Sequence, residues 1–334
     1  MSGSASPRRL LIPLVPLYRL GLALRAWRLG KGWEPVRRLR WPVISIGNLS
    51  VGGAGKTPLT IALAKALSAR GLHVDVLSRG YGRRRSGRPL PIDLEGDAEQ
   101  YGDEPLVIAR EAGVPVYVAA ERYEAGLHAE TANHAGLHLL DDGFQHRQLH
   151  RDLDILLLNR QDWQSGLLPA GNLREPLSAL GRADVIVIPS EEPELESMLR
   201  ARGFAGPVWP ARRRMEPPAV EGPTVAFCGI ARPEQFFAGL EAAGLKVSSR
   251  VAFRDHHRYV QHDIDCLRDA ARSVNAAAFV TTGKDRVRLK AMAAQLEAAA
   301  PLHTAGLRAE LNDEAAAVDW ILARVRQAPP LDGR

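Results

Sequence analysis

Beyond Trp41, short apolar runs alternate along the chain with longer stretches of helical periodicity. This alternation is typical of a mainly parallel sheet with helices on both faces, so it predicts an α/β fold. The predicted strands of the first half are residues 42–46, 73–77, 114–118, 137–140, 153–158 and 184–188. The predicted helices of the first half are residues 56–70, 104–112, 120–133, 175–182 and 192–202.

The alternation starts again after a proline-rich stretch. Residues 206–223 contain five prolines and no helical period, which predicts a connection between two domains. Beyond it we predict strands at 224–228, 245–253 and 277–281, and helices at 233–243, 259–273, 284–299 and 313–327. The predicted organisation is an apolar, basic N-terminal segment (1–40), a core domain (41–208), an interdomain linker (209–223) and a smaller α/β domain (224–334).

The N-terminal segment is nearly long enough to span a membrane. Residues 10–29 are mostly apolar, but they contain two prolines and the charged Arg19, Arg25 and Arg28. Three arginines within a spanning helix are costly, so we predict a helix that lies in the membrane interface. A signal peptide is disfavoured because no small-residue cleavage site follows, whereas a helix packed on the core domain remains an alternative.

The formal charge of +6 comes from the N-terminal part of the chain. Its first 50 residues hold nine arginines and lysines against one acid. A charge confined in this way favours contact with an anionic surface over a nucleic-acid groove across the protein. The two cysteines, Cys228 and Cys266, are far apart and exclude a disulfide framework or a thiolate metal site, which fits a reducing compartment.

The segment "GNLSVGGAGKT", residues 47–57, lies between a predicted strand and a predicted helix. It departs from the usual phosphate-loop pattern because Ser50 stands where that pattern has glycine. Lys56 is suited to reach the terminal phosphates of a nucleotide, and the Thr57 hydroxyl is suited to bind magnesium. The predicted nucleotide-binding residues are Gly52, Gly53, Ala54, Gly55, Lys56, Thr57 and Pro58.

Several acidic and histidine residues follow predicted strands. Asp141 and Asp142 end an apolar strand, as metal-binding carboxylates opposite a phosphate loop do, although such acids also simply terminate strands. In "QYGDEP", Asp103 is either a helix cap or the carboxylate that takes a proton from an acceptor hydroxyl. In "FRDHHRY", we expect one of the two histidines, His256 or His257, to pair with a carboxylate across the domain cleft.

Two further observations bear on the class of protein. The basic run from Arg79 to Arg88 is either a solvated arm or a contact for a phosphorylated acceptor. Membrane-cycling ATPases of the ParA/MinD type share the "GG-x-GKT" core and are the alternative function. Their signature lysine would fall near Val51, where this chain has no lysine.

Together these segments resemble the tetraacyldisaccharide 4'-kinase family of lipid A synthesis. The resemblance covers most of the chain, through "GNLSVGGAGKTP", "LSRGYGRR", "GDEP", "LLDDGFQHRQLHRDLDILLLN", "LLPAGNLREPLSAL", "FRDHHRY" and "TTGKD". It implies a P-loop NTPase-like doubly wound, mainly parallel sheet with a second, smaller α/β domain and an N-terminal membrane-interface helix. The Ser50 departure is shared with that family.

The resemblance also implies an activity. The γ-phosphoryl group of ATP, with Mg²⁺, would pass to the 4'-hydroxyl of a tetraacylated glucosamine disaccharide 1-phosphate, giving lipid IVA. The enzyme would bind peripherally, as a monotopic protein, to the cytoplasmic face of the bacterial inner membrane, without nucleic acid or an obligate protein partner. Its catalytic residues would be Asp103 and His256, its metal ligands Thr57, Glu104, Asp141 and Asp142, and its substrate residues Asn172, Arg174 and Arg79.

Overall fold

The structure is a computed structural model that describes residues 7–53, 55–83, 88–132 and 136–326. The strands of this described part form one sheet of twelve. They are β1 (Val43–Asn48), β2 (Val74–Ser78), β3 (Leu90–Pro91), β4 (Val116–Val118), β5 (Leu137–Asp141), β6 (Leu153–Leu157), β7 (Val185–Pro189), β8 (Val208–Glu216), β9 (Thr224–Cys228), β10 (Val247–Ala252), β11 (Ala278–Thr282) and β12 (Leu302–Leu311).

Helices pack on the sheet, and one helical segment precedes its first strand. The α-helices are α1 (Val15–Gly30), α2 (Lys56–Ala69), α3 (Ala98–Tyr101), α4 (Asp103–Ala112), α5 (Arg122–Ala132), α6 (Arg160–Gln164), α7 (Glu194–Ala201), α8 (Pro233–Ala242), α9 (Gln261–Ser273), α10 (Gly283–Leu289), α11 (Ala293–Glu297) and α12 (Glu314–Arg326). Three 3₁₀ helices span Pro7–Leu14, Leu177–Arg182 and Lys290–Met292.

The strand order is β10-β9-β11-β12-β8-β7-β6-β1-β5-β2-β4-β3. Neighbouring strands are parallel except in two pairs, β3 with β4 and β8 with β12. The central strands β1, β5 and β6 are buried along their whole length, which explains their continuous apolar sequence. The predicted α/β fold with a mainly parallel sheet is confirmed.

Strand β8 lies within the segment that the prolines predicted to be an interdomain connection. It pairs in parallel with β7 and antiparallel with β12, so it joins the two parts of the sheet through backbone hydrogen bonds. The hydrophobic pattern gave no strand signal because Arg212, Arg213 and Arg214 are exposed on it. The division of the chain into two domains at this segment stays a prediction.

The predicted site lies at the carboxyl edge of the parallel strands. In the register of β1 with β5, Ile46 lies opposite Asp141. The loop that follows β1 therefore begins beside the two aspartates that end β5. Ligand sites of open parallel sheets form at this edge, where the connecting loops diverge.

The predicted N-terminal helix is present as α1. Leu10–Gly30 is long and apolar enough to cross a membrane by length and composition alone. Within α1 no residue is fully buried, and Leu17, Leu20, Leu24 and Trp27 are exposed. Length and composition therefore do not distinguish a helix that crosses the membrane from one that lies in its interface.

A buried histidine lies near the amino ends of β2 and β5, away from the predicted site. His138 Nδ1 is 2.7 Å from Asp75 Oδ1, and its Nε2 is 3.4 Å from Glu130 Oε1. Glu130 also accepts a hydrogen bond from the Trp41 backbone N–H just before β1. Burial alone would lower the pKa of His138, but both carboxylates outweigh it and raise the pKa to about 9.

This raised pKa predicts a pH dependence of stability. The contribution of protonated His138 is fully present below about pH 6.5, its unfolded value, and is lost as the pH rises through about 9. Urea unfolding should therefore show a loss on the order of 1–3 kcal/mol over that range that is missing in His138→Gln. The exposed His150→Gln serves as a control and should keep the wild-type slope. Equal slopes in all three proteins would contradict the assignment.

Candidate active site

The phosphate loop runs from the end of β1 to the first turn of α2. Gly52 and Gly55 have φ angles of 111° and 91°, in the left-handed region that favours glycine. Gly55 immediately precedes Lys56, the first residue of α2. The loop is thus placed at a helix N-terminus, where free backbone N–H groups and the helix dipole attract a phosphate. The predicted nucleotide residue Ala54 lies outside the described residues.

Lys56 points back into this loop. Its Nζ donates a hydrogen bond to Asn48 Oδ1 at 2.9 Å and is 3.5 Å from Asp142 Oδ1. Its neighbours Thr57 and Pro58 are half-buried in the first turn of α2. The ammonium group therefore lies between the phosphate loop and the carboxylates that end β5, where it can meet the terminal phosphates of a nucleotide.

Ser50 has a structural role that a glycine would lack. Its buried hydroxyl oxygen accepts a hydrogen bond from Asn48 Nδ2 at 2.9 Å. This contact turns the other end of the Asn48 amide, Oδ1, towards Lys56 and Arg174. The departure from the usual loop pattern thus fixes an acceptor for two cationic side chains.

Arg174 connects the phosphate loop with the acidic pair. Its guanidinium donates two hydrogen bonds to Asp142, at 3.0 and 3.1 Å, one to Asn48 Oδ1 at 2.8 Å and one to the Ser50 carbonyl at 3.0 Å. The segment before it pairs with the loop, since Ser50 and Leu173 form an antiparallel bridge. The predicted substrate residue Arg174 therefore lies inside the phosphate site and organises it.

The pKa values of the two aspartates at the end of β5 are shifted in opposite directions. Burial raises the pKa of Asp141 to about 7, and the charges of Glu104 and Asp142 add to this effect. Burial also disfavours the charged form of Asp142, but Lys56 and Arg174 outweigh it and hold its pKa below the ordinary value. A divalent cation between them would favour the ionised form of Asp141.

The predicted metal ligands lie around the two aspartates at the end of β5, but they do not form a complete metal site by themselves. Within the described ranges, no group of three or more His, Cys, Asp and Glu side chains is close enough to hold a metal ion. Glu104 is paired with Lys284, and Asp141 accepts a hydrogen bond from Thr60 at 3.4 Å. One or two carboxylates beside a phosphate loop are the environment that magnesium needs, since it keeps waters and binds substrate phosphates. The set Thr57, Glu104, Asp141 and Asp142 stays a prediction.

Asp103 forms the second part of the site. It is the buried first residue of α4, and Arg288 Nε donates a hydrogen bond to its Oδ2 at 2.9 Å. His256 Nδ1 lies 3.3 Å from the same oxygen. Burial disfavours the charged carboxylate, but these two partners outweigh it and hold the pKa of Asp103 well below its ordinary value. The structure thus brings the two predicted catalytic residues into contact.

The two adjacent histidines have different surroundings. His256 has a φ angle of 57° and is half-exposed, and the Asp103 carboxylate raises its pKa. His257 stacks on Phe253 and lies 2.8 Å from Asp263 Oδ2. The left-handed backbone, unusual outside glycine, turns His256 towards the site and leaves His257 in the packing of its own region.

Two cations hold the acidic residues of α4: Arg288, which no sequence pattern indicated, and Lys284, which lies in "TTGKD" but whose partner that segment does not indicate. Arg288 contacts Asp103 and also Asp285, while Lys284 pairs with Glu104. Both lie on α10, which begins within "TTGKD" at Gly283 and is capped by Thr282. Their partners are at least 180 positions earlier, so no local pattern could have indicated the pairing.

A cationic region lies beside the acidic pair, at the carboxyl ends of β2 and β4. The predicted substrate residue Arg79 is exposed just beyond β2, and Arg122, which sequence reasoning also missed, is buried at the start of α5. Burial, aided by the charges of Arg122 and Arg151, lowers the pKa of His146 to about 3. Asn172 lies beside the phosphate loop, where its carbonyl accepts a hydrogen bond from the Val51 N–H, and its side chain contacts Arg8. Arg84 and Arg85 of the basic run lie outside the described residues.

The buried pair of Arg288 and Asp103 should stabilise the fold strongly. Arg288→Gln leaves a buried carboxylate without its cation, so we expect a loss of about 3 kcal/mol in the free energy of unfolding, measured in urea. The matched control is Arg286→Gln on the same helix, which breaks an exposed pair with Glu297 and should cost less than about 1 kcal/mol. Equal losses in the two variants would contradict the structural role of the buried pair.

Comparisons with known proteins agree with this geometry. The family model described as "Tetraacyldisaccharide-1-P 4'-kinase" (LpxK) matches residues 7–326. A tetraacyldisaccharide 4'-kinase of Koribacter versatilis is 41% identical over 93% of this chain and 97% of its own length. One of Chromobacterium violaceum is 38% identical over 95% of this chain and 94% of its own length.

A solved structure is similar over the same extent. The crystal structure of "apo" form LpxK from Aquifex aeolicus in complex with ATP matches with a TM-score of 0.76 and 31% identity. The match covers 96% of this chain and 100% of the other. These findings do not favour the ParA/MinD alternative. The chain belongs to the tetraacyldisaccharide 4'-kinase family, LpxK.

Proposed function

We propose that this chain transfers the γ-phosphoryl group of ATP to the 4'-hydroxyl of a tetraacylated glucosamine disaccharide 1-phosphate, a lipid A precursor. The observation that carries the proposal is the position of the ionised Asp103 with His256, within electrostatic range of the site formed by the phosphate loop and the β5 carboxylates. Lys284, which pairs with Glu104, also acts on the pKa values of both Asp103 and Asp141. A phosphoryl acceptor needs a carboxylate at such a place.

The chemistry follows from these groups. The Asp103 carboxylate accepts a hydrogen bond from the acceptor hydroxyl and takes its proton as the oxygen–phosphorus bond forms and the γ-phosphoryl leaves ADP. His256, whose Nδ1 lies 3.3 Å from Asp103 Oδ2, can orient the carboxylate. Arg288 keeps Asp103 ionised at neutral pH, so that the carboxylate can accept the hydrogen bond of the acceptor hydroxyl.

The phosphate end is organised by Lys56, Asn48 and Arg174. Lys56 neutralises charge on the terminal phosphates, and the backbone N–H groups of the loop bind them. Mg²⁺ held by the Thr57 hydroxyl with Asp141 and Asp142, and with Glu104 nearby, would neutralise the charge that develops between the β- and γ-phosphates. The donor set is suited to it because it offers hard oxygen ligands beside the phosphates.

The acceptor side is cationic. Arg79 lies just beyond β2, Arg122 lies at the start of α5, and Asn172 contacts Arg8 beside the phosphate loop. Arginine and asparagine side chains suit a phosphorylated sugar because they donate hydrogen bonds to phosphate and hydroxyl oxygens. The positive charge of these arginines supports an anionic acceptor.

The membrane side is formed by α1, which we propose lies in the cytoplasmic face of the inner membrane. Leu17, Leu20, Leu24 and Trp27 are exposed along it, and Arg19, Arg25 and Arg28 carry its charge. An apolar surface flanked by arginines suits an anionic bilayer interface, where the apolar side chains enter and the guanidinium groups reach the headgroups. A lipid acceptor would then be presented at the active site without leaving the membrane.

The base assignment is tested by Asp103→Asn. With the acylated disaccharide phosphate, ATP and Mg²⁺, kcat should fall roughly 10²–10⁴-fold because the amide cannot take the hydroxyl proton. ATP affinity, measured by calorimetry, should change little, since Asp103 lies outside the phosphate loop. Normal turnover in the variant would remove Asp103 from the mechanism.

The membrane assignment is tested by the double variant Leu20→Glu with Leu24→Glu. Sedimentation with vesicles of phosphatidylethanolamine and phosphatidylglycerol should show at least about tenfold weaker binding, because two apolar contacts are replaced by charges. The control is Leu94→Glu with Leu127→Glu, which adds the same charge at exposed leucines elsewhere. Equal binding of the two double variants would refute the interfacial role of α1.

A further inference from the structure

Helix α1 has a second face that packs on the active-site loops. Val15, Tyr18 and Leu22, spaced three and four residues apart, pack against a buried cluster. That cluster contains Leu49 and Leu173. Leu49 belongs to the phosphate loop, and Leu173 precedes Arg174. The helix that exposes leucines to a membrane therefore rests on the segments that build the phosphate site.

Polar contacts of α1 reach the same segments. The Tyr18 hydroxyl donates a hydrogen bond to the Arg174 carbonyl at 2.9 Å. Arg25 Nη2 donates one to the Gln145 carbonyl at 3.1 Å, three residues beyond Asp142. Burial, with a contribution from the nearby Glu175, raises the pKa of Tyr18, so its hydroxyl keeps its proton at neutral pH and remains a donor.

The residue whose carbonyl Tyr18 holds is tied to the phosphate loop by its backbone as well. The Arg174 N–H donates to the Leu49 carbonyl at 2.6 Å, and the Val51 N–H donates to the Asn172 carbonyl at 2.8 Å. The Arg174 guanidinium then reaches Asp142 and Asn48. A shift of the Arg174 backbone would therefore move the guanidinium and the loop together.

From these contacts we infer that Tyr18 is a positioning residue, which couples the seating of α1 on the membrane to the placement of Arg174 and the phosphate loop. The Tyr18 hydroxyl binds the backbone of the short bridge between residues 49–51 and 172–174, while the Arg174 guanidinium contacts the phosphate site. When the opposite face of α1 enters a bilayer, the helix is held against the loops, and the hydrogen bonds of this bridge become more stable. The consequence for turnover rests on the kinase function proposed above.

The first test is Tyr18→Phe, which removes only the hydroxyl and keeps the ring in the cluster. We expect kcat to fall about three- to tenfold while KM for ATP and for the acylated disaccharide phosphate changes less than about twofold. In an Arg174→Lys background the same change should cause no further loss, because Tyr18 acts through Arg174. The control Tyr123→Phe, on α5, should leave both parameters unchanged. Wild-type kcat in Tyr18→Phe, or additive losses, would overturn the inference.

The second test does not depend on turnover. In hydrogen exchange of the full chain, the Val51 and Arg174 amides should exchange at least about threefold faster in Tyr18→Phe than in the wild type. Vesicles of phosphatidylethanolamine and phosphatidylglycerol should slow both amides in the wild type and not in the variant. Equal exchange with and without vesicles in the wild type, or an equal vesicle response in both proteins, would overturn the coupling. If the wild type instead failed to phosphorylate the acceptor, the proposed function would fail and this exchange result would still decide the role of Tyr18.

Discussion

The buried ion pair between Asp103 and Arg288 determines the arrangement of the active site. It joins residues 185 positions apart, on α4 and α10, and it satisfies a carboxylate that burial would otherwise neutralise. Arg288 is held in turn by Asp285 and by the Gly229 carbonyl. Because an unpaired buried charge is strongly destabilising, the two parts of the sheet must keep this contact for Asp103 to remain ionised beside His256.

A second network, of hydrogen bonds, organises the phosphate end of the site by giving its polar side chains partners. Asn48 accepts from both Lys56 and Arg174, and its amide is oriented by Ser50. Lys56 and Arg174 outweigh burial and hold the pKa of Asp142 below its ordinary value, whereas burial raises the pKa of Asp141. The pKa values of two neighbouring aspartates are thus shifted in opposite directions, because burial dominates for one and cationic neighbours dominate for the other.

The sequence predicted the parallel part of the fold well because that part has strong local signals. Strand β9 was predicted with its observed bounds, and α2, α4 and α8 were predicted within one residue at each end. Strands β8 and β12 were not predicted, since their half-exposed residues carry no continuous apolar run and their antiparallel pairing is a long-range contact. Loop residues at special backbone angles, such as Asp142 and His256, were indicated only by their position after a strand.

The same distinction holds for the candidate site. Lys56, Asp103, Asp141 and Asp142 follow strands or begin helices, so motif and position indicated them. Arg288, Lys284 and Asn48 contribute through contacts that appear only when the chain is folded, and no local pattern predicted them. His256 was predicted over His257 from its place directly after Asp255, and in the structure His257 is engaged with Phe253 and Asp263.

The arrangement of the site supports phosphorylation of a lipid-borne sugar. The most direct measurement is phosphorus NMR of the lipid recovered after incubating the purified protein with ATP, Mg²⁺ and tetraacylated glucosamine disaccharide 1-phosphate. We expect a second phosphomonoester resonance, coupled to the proton at the 4' carbon, together with one ADP for each lipid converted. Hydrolysis of ATP to ADP and inorganic phosphate with the lipid unchanged would contradict it.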